Sequence, residues 1–186
     1  MQEVETIIRL NNVRLSFPSL TEHEKYEGQD TGKYGCTLLM PHATQGVLQV
    51  EKGISDAIKL KWGKKPPPAN KLKTSFRDGD DEKYDGYAGM MALKATNKNR
   101  LHLILRDRSP IEPDEVDQIL YPGCYVNATI SFNAGKDSYN NNRVWCNLRA
   151  LQFYKRGEKF GGGVPVDIDA EFESFSDEEI PADMGV

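Results

Sequence analysis

The last twenty residues of this 186-residue chain limit what can fold. Residues 167–186 carry eight acids, Asp167, Asp169, Glu171, Glu173, Asp177, Glu178, Glu179 and Asp183, and neither Lys nor Arg. The apolar residues among and beside them (Val166, Ile168, Phe172, Phe175 and Ile180) are isolated. Like charges repel, and so little apolar mass does not offset the entropy of ordering, so the segment should not fold alone. Gly161-Gly162-Gly163 precedes it, and a glycine run costs much entropy to hold in one conformation. The foldable body is therefore read as residues 1–160, and residues 161–186 as a linker and flexible acidic interaction tail. The net charge of −4 describes neither part: residues 1–166 hold all 24 basic residues against 20 acids, a net of +4.

A body of this size is one ordinary domain, and a hydrophobic content of 38% supplies one core. No apolar run approaches the roughly 18 residues of a membrane-spanning helix. The start, Met1-Gln2-Glu3-Val4-Glu5, lacks the basic and apolar regions of a secretory leader. Three cysteines, Cys36, Cys124 and Cys146, sit in apolar runs without C-x-x-C spacing. An odd, unpaired set argues against a disulfide framework or a zinc site and predicts buried thiols in a reducing compartment. The histidines, His23, His42 and His102, have no partner spacing, and neither a cofactor nor a metal is expected.

Strand signals dominate the body. In residues 6–17, Ile8 and Leu10, then Val13, Leu15 and Phe17, alternate as on a strand face, and Pro18 is expected to end it. Residues 33–40 predict a second strand. Residues 44–62 predict the single long helix, with Val47, Val50, Ile54 and Ile58 at helical spacing, Thr44 as N-cap and Gly63 as stop. Residues 87–96 and 100–106 predict two strands joined by an Asn97-Lys98-Asn99 hairpin. After a loop with a short helical turn at 110–121 come strands at 124–133 and 143–155. On the last, Val144, Cys146, Leu148 and Ala150 take one face, and Trp145, Asn147, Arg149 and Leu151 the other. About six strands in linked pairs, without repeated βα units, predict a mainly β protein: a small antiparallel OB-like barrel with one main helix. A β-sandwich and an α+β sheet are the alternatives.

The most loaded window is 59–77, with Lys59, Lys61, Lys64, Lys65, Lys71, Lys73 and Arg77, no acid, and Trp62 and Phe76 among them. Cations that follow phosphates release condensed counterions, and aromatic faces stack bases of any identity, so this mixture suits a single-strand binder. The turn 135–143 adds Lys136, Tyr139 and Arg143 before Trp145 and Arg149. Lys33 and Tyr34, Tyr87, and Lys94 with Lys98, Arg100, Arg106 and Arg108 complete the candidates. Of Tyr34, Trp62, Phe76, Tyr87, Tyr139 and Trp145, two or three are expected on a binding face. Enzyme signals are weak. Gly28 to Lys33 lacks the spacing of a phosphate loop, and Asp78-Gly79-Asp80-Asp81-Glu82 reads as a charged turn rather than a metal site.

These residues resemble a known family, the phage-encoded single-stranded DNA-binding proteins with an OB-fold core and an acidic tail. The likeness rests on Val13-Arg14-Leu15-Ser16-Phe17-Pro18-Ser19-Leu20, on Lys33-Tyr34-Gly35-Cys36-Thr37-Leu38-Leu39-Met40-Pro41, and on Tyr121-Pro122-Gly123-Cys124-Tyr125-Val126-Asn127-Ala128. It continues through Cys146-Asn147-Leu148-Arg149-Ala150-Leu151-Gln152, Gly157-Glu158, Phe160-Gly161-Gly162 and the acids. It implies sequence-independent binding of single-stranded DNA in phage replication, recombination or repair, in the cytoplasm of a bacterial host. It also implies that Phe172, Phe175, Asp177, Glu178 and Glu179 of the tail contact replication or recombination proteins and restrain DNA binding. The tail ends Asp183-Met184-Gly185-Val186, unlike the bacterial pattern with Phe at the extreme end. A metal-dependent nuclease using Asp78, Asp80, Asp81 and Glu82, an RNA-binding or annealing protein, and a tail-centred adaptor are the rival readings. A homodimer is one of the oligomeric states left open, since a β-barrel need not pair its edges.

Overall fold

A computed structural model describes residues 6–161. The first alternating run forms β1 (Ile8–Ser19), and the polar loop after it holds a small hairpin, β2 (Lys25–Tyr26) and β3 (Gln29–Asp30). β4 (Tyr34–Pro41) leads to helix α1 (Gln45–Trp62). A proline-rich crossover then reaches the short strands β5 (Leu72–Thr74) and β6 (Phe76–Asp78), followed by β7 (Met90–Asn97) and β8 (His102–Ile104). One helical turn, α2 (Val116–Ile119), precedes the long hairpin of β9 (Tyr125–Lys136) and β10 (Asn142–Lys155).

β1 lies antiparallel between β4 and β9; β4 pairs with β7, β9 pairs with β10, and a parallel β7–β10 pairing closes the ring. The result is the closed five-stranded, mainly β barrel expected of an OB-type chain. Leu10, Leu15, Leu38, Leu93, Ile130 and Leu148 fill it, each without exposed surface, and burying a side chain of this kind contributes about 1.5–3 kcal/mol. Helix α1 covers the barrel with Val47, Val50 and Ala57. It lies so close that a Cβ on Gly53 would stand 2.5 Å from Ile8 and 2.7 Å from the Phe132 ring. Gly63 ends the helix at φ 58°, whereas the Thr44 hydroxyl donates to the Pro41 carbonyl rather than capping. The three thiols are buried, and burial raises all of them, Cys124 to about 12. They are inert packing groups.

Three expectations of local structure are corrected. Pro18 does not end β1: it falls where the β1–β4 ladder is interrupted between Ser16 and Ser19, so its missing N–H breaks no ladder bond. The Asn97-Lys98-Asn99 hairpin does not form. β7 and β8 both run parallel to β10, β7 beside Cys146 and Asn147 and β8 beside Ala150 to Gln152. The step between them coincides with a bulge in β10, and the Asn97 amide bridges it by donating to the Leu148 carbonyl at 2.8 Å. That same bulge reverses the tail end of β10, so Leu151 is buried in the core although uninterrupted alternation places it outside.

The chain stays fastened to the barrel beyond β10. Arg14 donates to the carbonyls of Gly123 at 3.0 Å and Glu158 at 2.6 Å, the Tyr121 hydroxyl donates to the Gly157 carbonyl at 2.8 Å, and Phe160 N–H donates to Pro122 at 3.0 Å. The tail residues Phe172, Phe175, Asp177, Glu178 and Glu179 lie outside the described residues.

Candidate nucleic-acid interface

Outward positions of β7 and β10 alternate with the core positions between them, so Lys94 and Thr96 stand beside Arg143, Trp145 and Asn147 across the parallel pair. Segment 72–78 fills the gap where the two strands diverge, β5 pairing with β10 and β6 with β7. This places Ser75 on the same surface, its hydroxyl 3.5 Å from the Val144 carbonyl. The loop bearing β2 and β3 forms the facing wall. Together Phe17, Ser19, Glu24, Lys25, Tyr26, Thr31, Lys33, Ser75, Lys94, Thr96, Arg143 and Trp145 line a cleft of about 510 Å³. A second cleft, of about 440 Å³, shares Lys33, Thr96 and Trp145 and continues past Asn97, Lys98, Asn99, Asn133 and Asn147. The two form one groove along the barrel wall.

Four cations, Lys25, Lys33, Lys94 and Arg143, meet a single carboxylate, Glu24, in the first cleft. Glu24 holds the Lys94 ammonium at 3.1 Å. Arg143 is drawn toward Asp137 at 3.8 Å. The Asp137 carboxyl is held below its usual range chiefly by the Asn141 backbone N–H, then by the Asn141 amide, the Tyr139 N–H and Arg143. It thereby fixes the β9–β10 turn that carries Tyr139, which is 86% exposed. Tyr26 is 71% exposed and Phe17 56%. The arrangement offers flat apolar faces between separated cations, which suits a polyanion carrying aromatic bases.

Of the residues singled out in the sequence, Lys33, Lys94, Arg143 and Trp145 converge on this groove. Lys73 stands in register with Arg143, and Tyr34 packs edge-on against His23 at 4.6 Å beside Lys33. Lys61, Trp62, Lys64, Lys65 and Lys71 belong to the end of α1 and the crossover and line neither cleft. Arg77 is paired with Glu82 at 3.2 Å. Arg149 is exposed at the β10 bulge.

One aromatic is corrected as a stacking candidate. Tyr87 has no exposed surface: it packs with Leu39 and Ala92, its hydroxyl lies 3.0 Å from Ser16 Oγ, and burial raises the phenol. Phe76 is half-buried against the barrel core and lines neither cleft. Arg106 lies apart from the groove, near the far end of β10, donating to the Tyr154 carbonyl beside Phe153. Phe17, Lys25 and Tyr26 also line the cleft and were not among the sequence candidates. Alternation places Phe17 on one strand face with Val13 and Leu15, and the only signal for Tyr26 was an aromatic in a polar loop with two glycines.

The acids of the charged turn hold local structure. Asp78 accepts from Asp80 N–H and lies 3.0 Å from His42 Nε2, which together keep its carboxyl below the usual range. Asp80 accepts from Gly89 N–H at 2.7 Å.

The chain is 40% identical over 177 residues to protein p50 of Acyrthosiphon pisum secondary endosymbiont phage 1, covering 91% of this chain and 94% of p50. The solved single-stranded DNA-binding protein of bacteriophage Enc34, in complex with single-stranded DNA, superposes with a TM-score of 0.71 at 29% identity, over 83% of this chain and 89% of that one. The gp2.5 single-stranded DNA-binding protein of bacteriophage T7 shares the fold, with a TM-score of 0.53 at 12% identity over 94% of this chain and all of gp2.5. Residues 6–184 match the model of one family, and the chain belongs to it: the Enterobacter phage Enc34 ssDNA-binding protein family.

Proposed function

We propose that the protein binds single-stranded DNA without sequence preference, in the groove between β7–β10 and the β2–β3 loop. The observation that carries this reading is the convergence of Lys25, Lys33, Lys94 and Arg143 with Phe17, Tyr26 and Trp145 on one surface. The cations track phosphates and the aromatic faces stack bases, and neither contact depends on base identity. Membership of a family named for single-stranded DNA binding supports the same ligand. The groove contacts require no chemistry on the strand, so the protein acts as a non-enzymatic binder that protects single strands in phage replication, recombination or repair. The acidic tail, with Phe172 and Phe175, competes with phosphates for the groove cations and recruits replication or recombination proteins.

Fluorescence anisotropy with labelled oligo-dT tests the groove. The full chain is expected to bind with an affinity that falls as salt rises. Trp145→Ala is expected to bind about tenfold or more weakly, since one stacked base contributes about 1–3 kcal/mol. Equal affinity of parent and variant would remove Trp145 from the interface. A clear preference for RNA over DNA in the same assay would replace the proposed ligand.

A further inference from the structure

Phe17 borders two hollows: the groove and a separate recess of about 370 Å³. Phe17, Tyr84, Pro122 and Phe160 form the walls of this recess, with Lys83 and Asp85 at its charged rim. The Phe17 and Tyr84 rings meet edge to face at 4.9 Å, and their residues are 56% and 50% exposed.

The backbone sets Phe17 in this place. Leu15 points into the core, so simple alternation would bury Phe17 as well. Instead Phe17 stands at φ 43°, in a left-handed conformation that a residue with a Cβ adopts at a cost, inside the irregularity between Ser16 and Ser19. Bulges re-aim side chains, and strain of this kind collects at functional sites. The opposite wall is equally fixed. The Arg14 guanidinium lies 4.2 Å from the Phe160 ring centroid, and the ring packs so tightly on Gly86 that a Cβ there would stand 2.2 Å from it. Gly86 also has φ 80°.

We propose that this recess is a second base subsite. A strand lying in the groove turns over Phe17 and seats one base against Tyr84 and Phe160. The volume lies near the lower end of ordinary ligand sites, roughly 300–1,000 Å³, and suits one nucleoside rather than several. Asp85 repels phosphate, so the backbone passes on the Lys83 side. The proposal rests on the groove being the single-stranded DNA site.

The test uses the full chain and fluorescently labelled oligo-dT of increasing length. Tyr84 lines the recess and not the groove, so it separates the two. Tyr84→Ala is expected to lose roughly tenfold in affinity for strands long enough to pass Phe17, and nothing for the shortest strand the parent binds. Tyr84→Trp is expected to retain the parent's affinity at every length. Strands carrying 5-iododeoxyuridine at successive positions are expected to crosslink to Tyr84 at one position near an end of the bound stretch. Parent-like binding of Tyr84→Ala at all lengths, or an equal loss at all lengths with a lowered Tm, would overturn the subsite. If Trp145→Ala weakens every length in that outcome, the groove stands and only the recess is lost. Failure of the parent to bind any strand would overturn the groove and the recess with it.

Discussion

Tyr87 and Trp145 are both large aromatics in stretches that read as strands, yet one is buried in a small cluster with Leu39 and Ala92 and the other faces the groove. The difference shows in what each substitution should change. Tyr87→Phe removes the hydroxyl shared with Ser16. It is expected to lower stability by about 1 kcal/mol in urea unfolding, with DNA affinity unchanged, because the lost hydrogen bond is internal. Trp145 has the opposite profile. Among the charges, Glu24 is the residue whose loss should help. Its carboxylate sits 3.1 Å from Lys94 and opposes phosphate in the groove. Glu24→Gln frees Lys94 to replace one further counterion. The slope of log K against log salt should therefore steepen by about 0.7, with tighter binding at low salt. A salt titration of the two proteins checks this, and an unchanged slope would place Lys94 outside the phosphate path.

At the scale of elements, helix α1 was legible to within a residue, because Val47, Val50 and Ile54 repeat at helical spacing and Gly63 supplies the left-handed stop. Of the ten strands among the described residues, β1, β4, β7, β8, β9 and β10 were legible from alternation, whereas β2, β3, β5 and β6, each of two or three residues, were not. Alternation failed where the ladder is irregular. Phe17 lies within an irregularity of β1 and Leu151 follows a bulge of β10, and one inserted residue exchanges the two faces of a strand. The β7–β8 step was invisible for another reason: Asn97-Lys98-Asn99 has good turn chemistry, but both flanking strands find a better partner in β10. The groove was half legible. Lys94, Arg143 and Trp145 were visible as residue types, but their convergence depends on the parallel closure of β7 on β10, which local periodicity does not encode. The helix also yields a prediction in which two effects compete. Gly53→Ala gains about 1 kcal/mol in helix propensity. Its new Cβ, however, meets Ile8 and Phe132 well inside contact distance, and overpacking of this kind costs about 1–3 kcal/mol. A net loss of thermal stability is expected, and a gain would show that α1 lifts from the barrel easily.

For the whole molecule, the decisive quantity is the charge held by two parts of one chain. The part up to residue 166 is net positive, and the twenty residues from 167 carry eight acids and no base. A chain ending at Gly161 is expected to bind single strands more tightly than the full chain at low salt, with the two converging as screening shortens the reach of the tail charges. Anisotropy across a salt series reads both, and identical curves would show that the tail leaves the groove alone. The closure of the barrel has a separate consequence, in time rather than in affinity. β10 is the last strand of the described chain, and it alone joins β9, β7, β8 and β5. Its partners include Leu72, seventy positions upstream of Asn142. Until β10 has been synthesised, β7 lacks the partner that completes the ring, and the nascent chain holds an unfinished sheet with open edges. Contacts so far apart in sequence form late and slowly, on the millisecond-to-second scale of other non-local β folds. The same closure that builds the groove therefore delays it, and makes the half-made barrel the stage most exposed to aggregation.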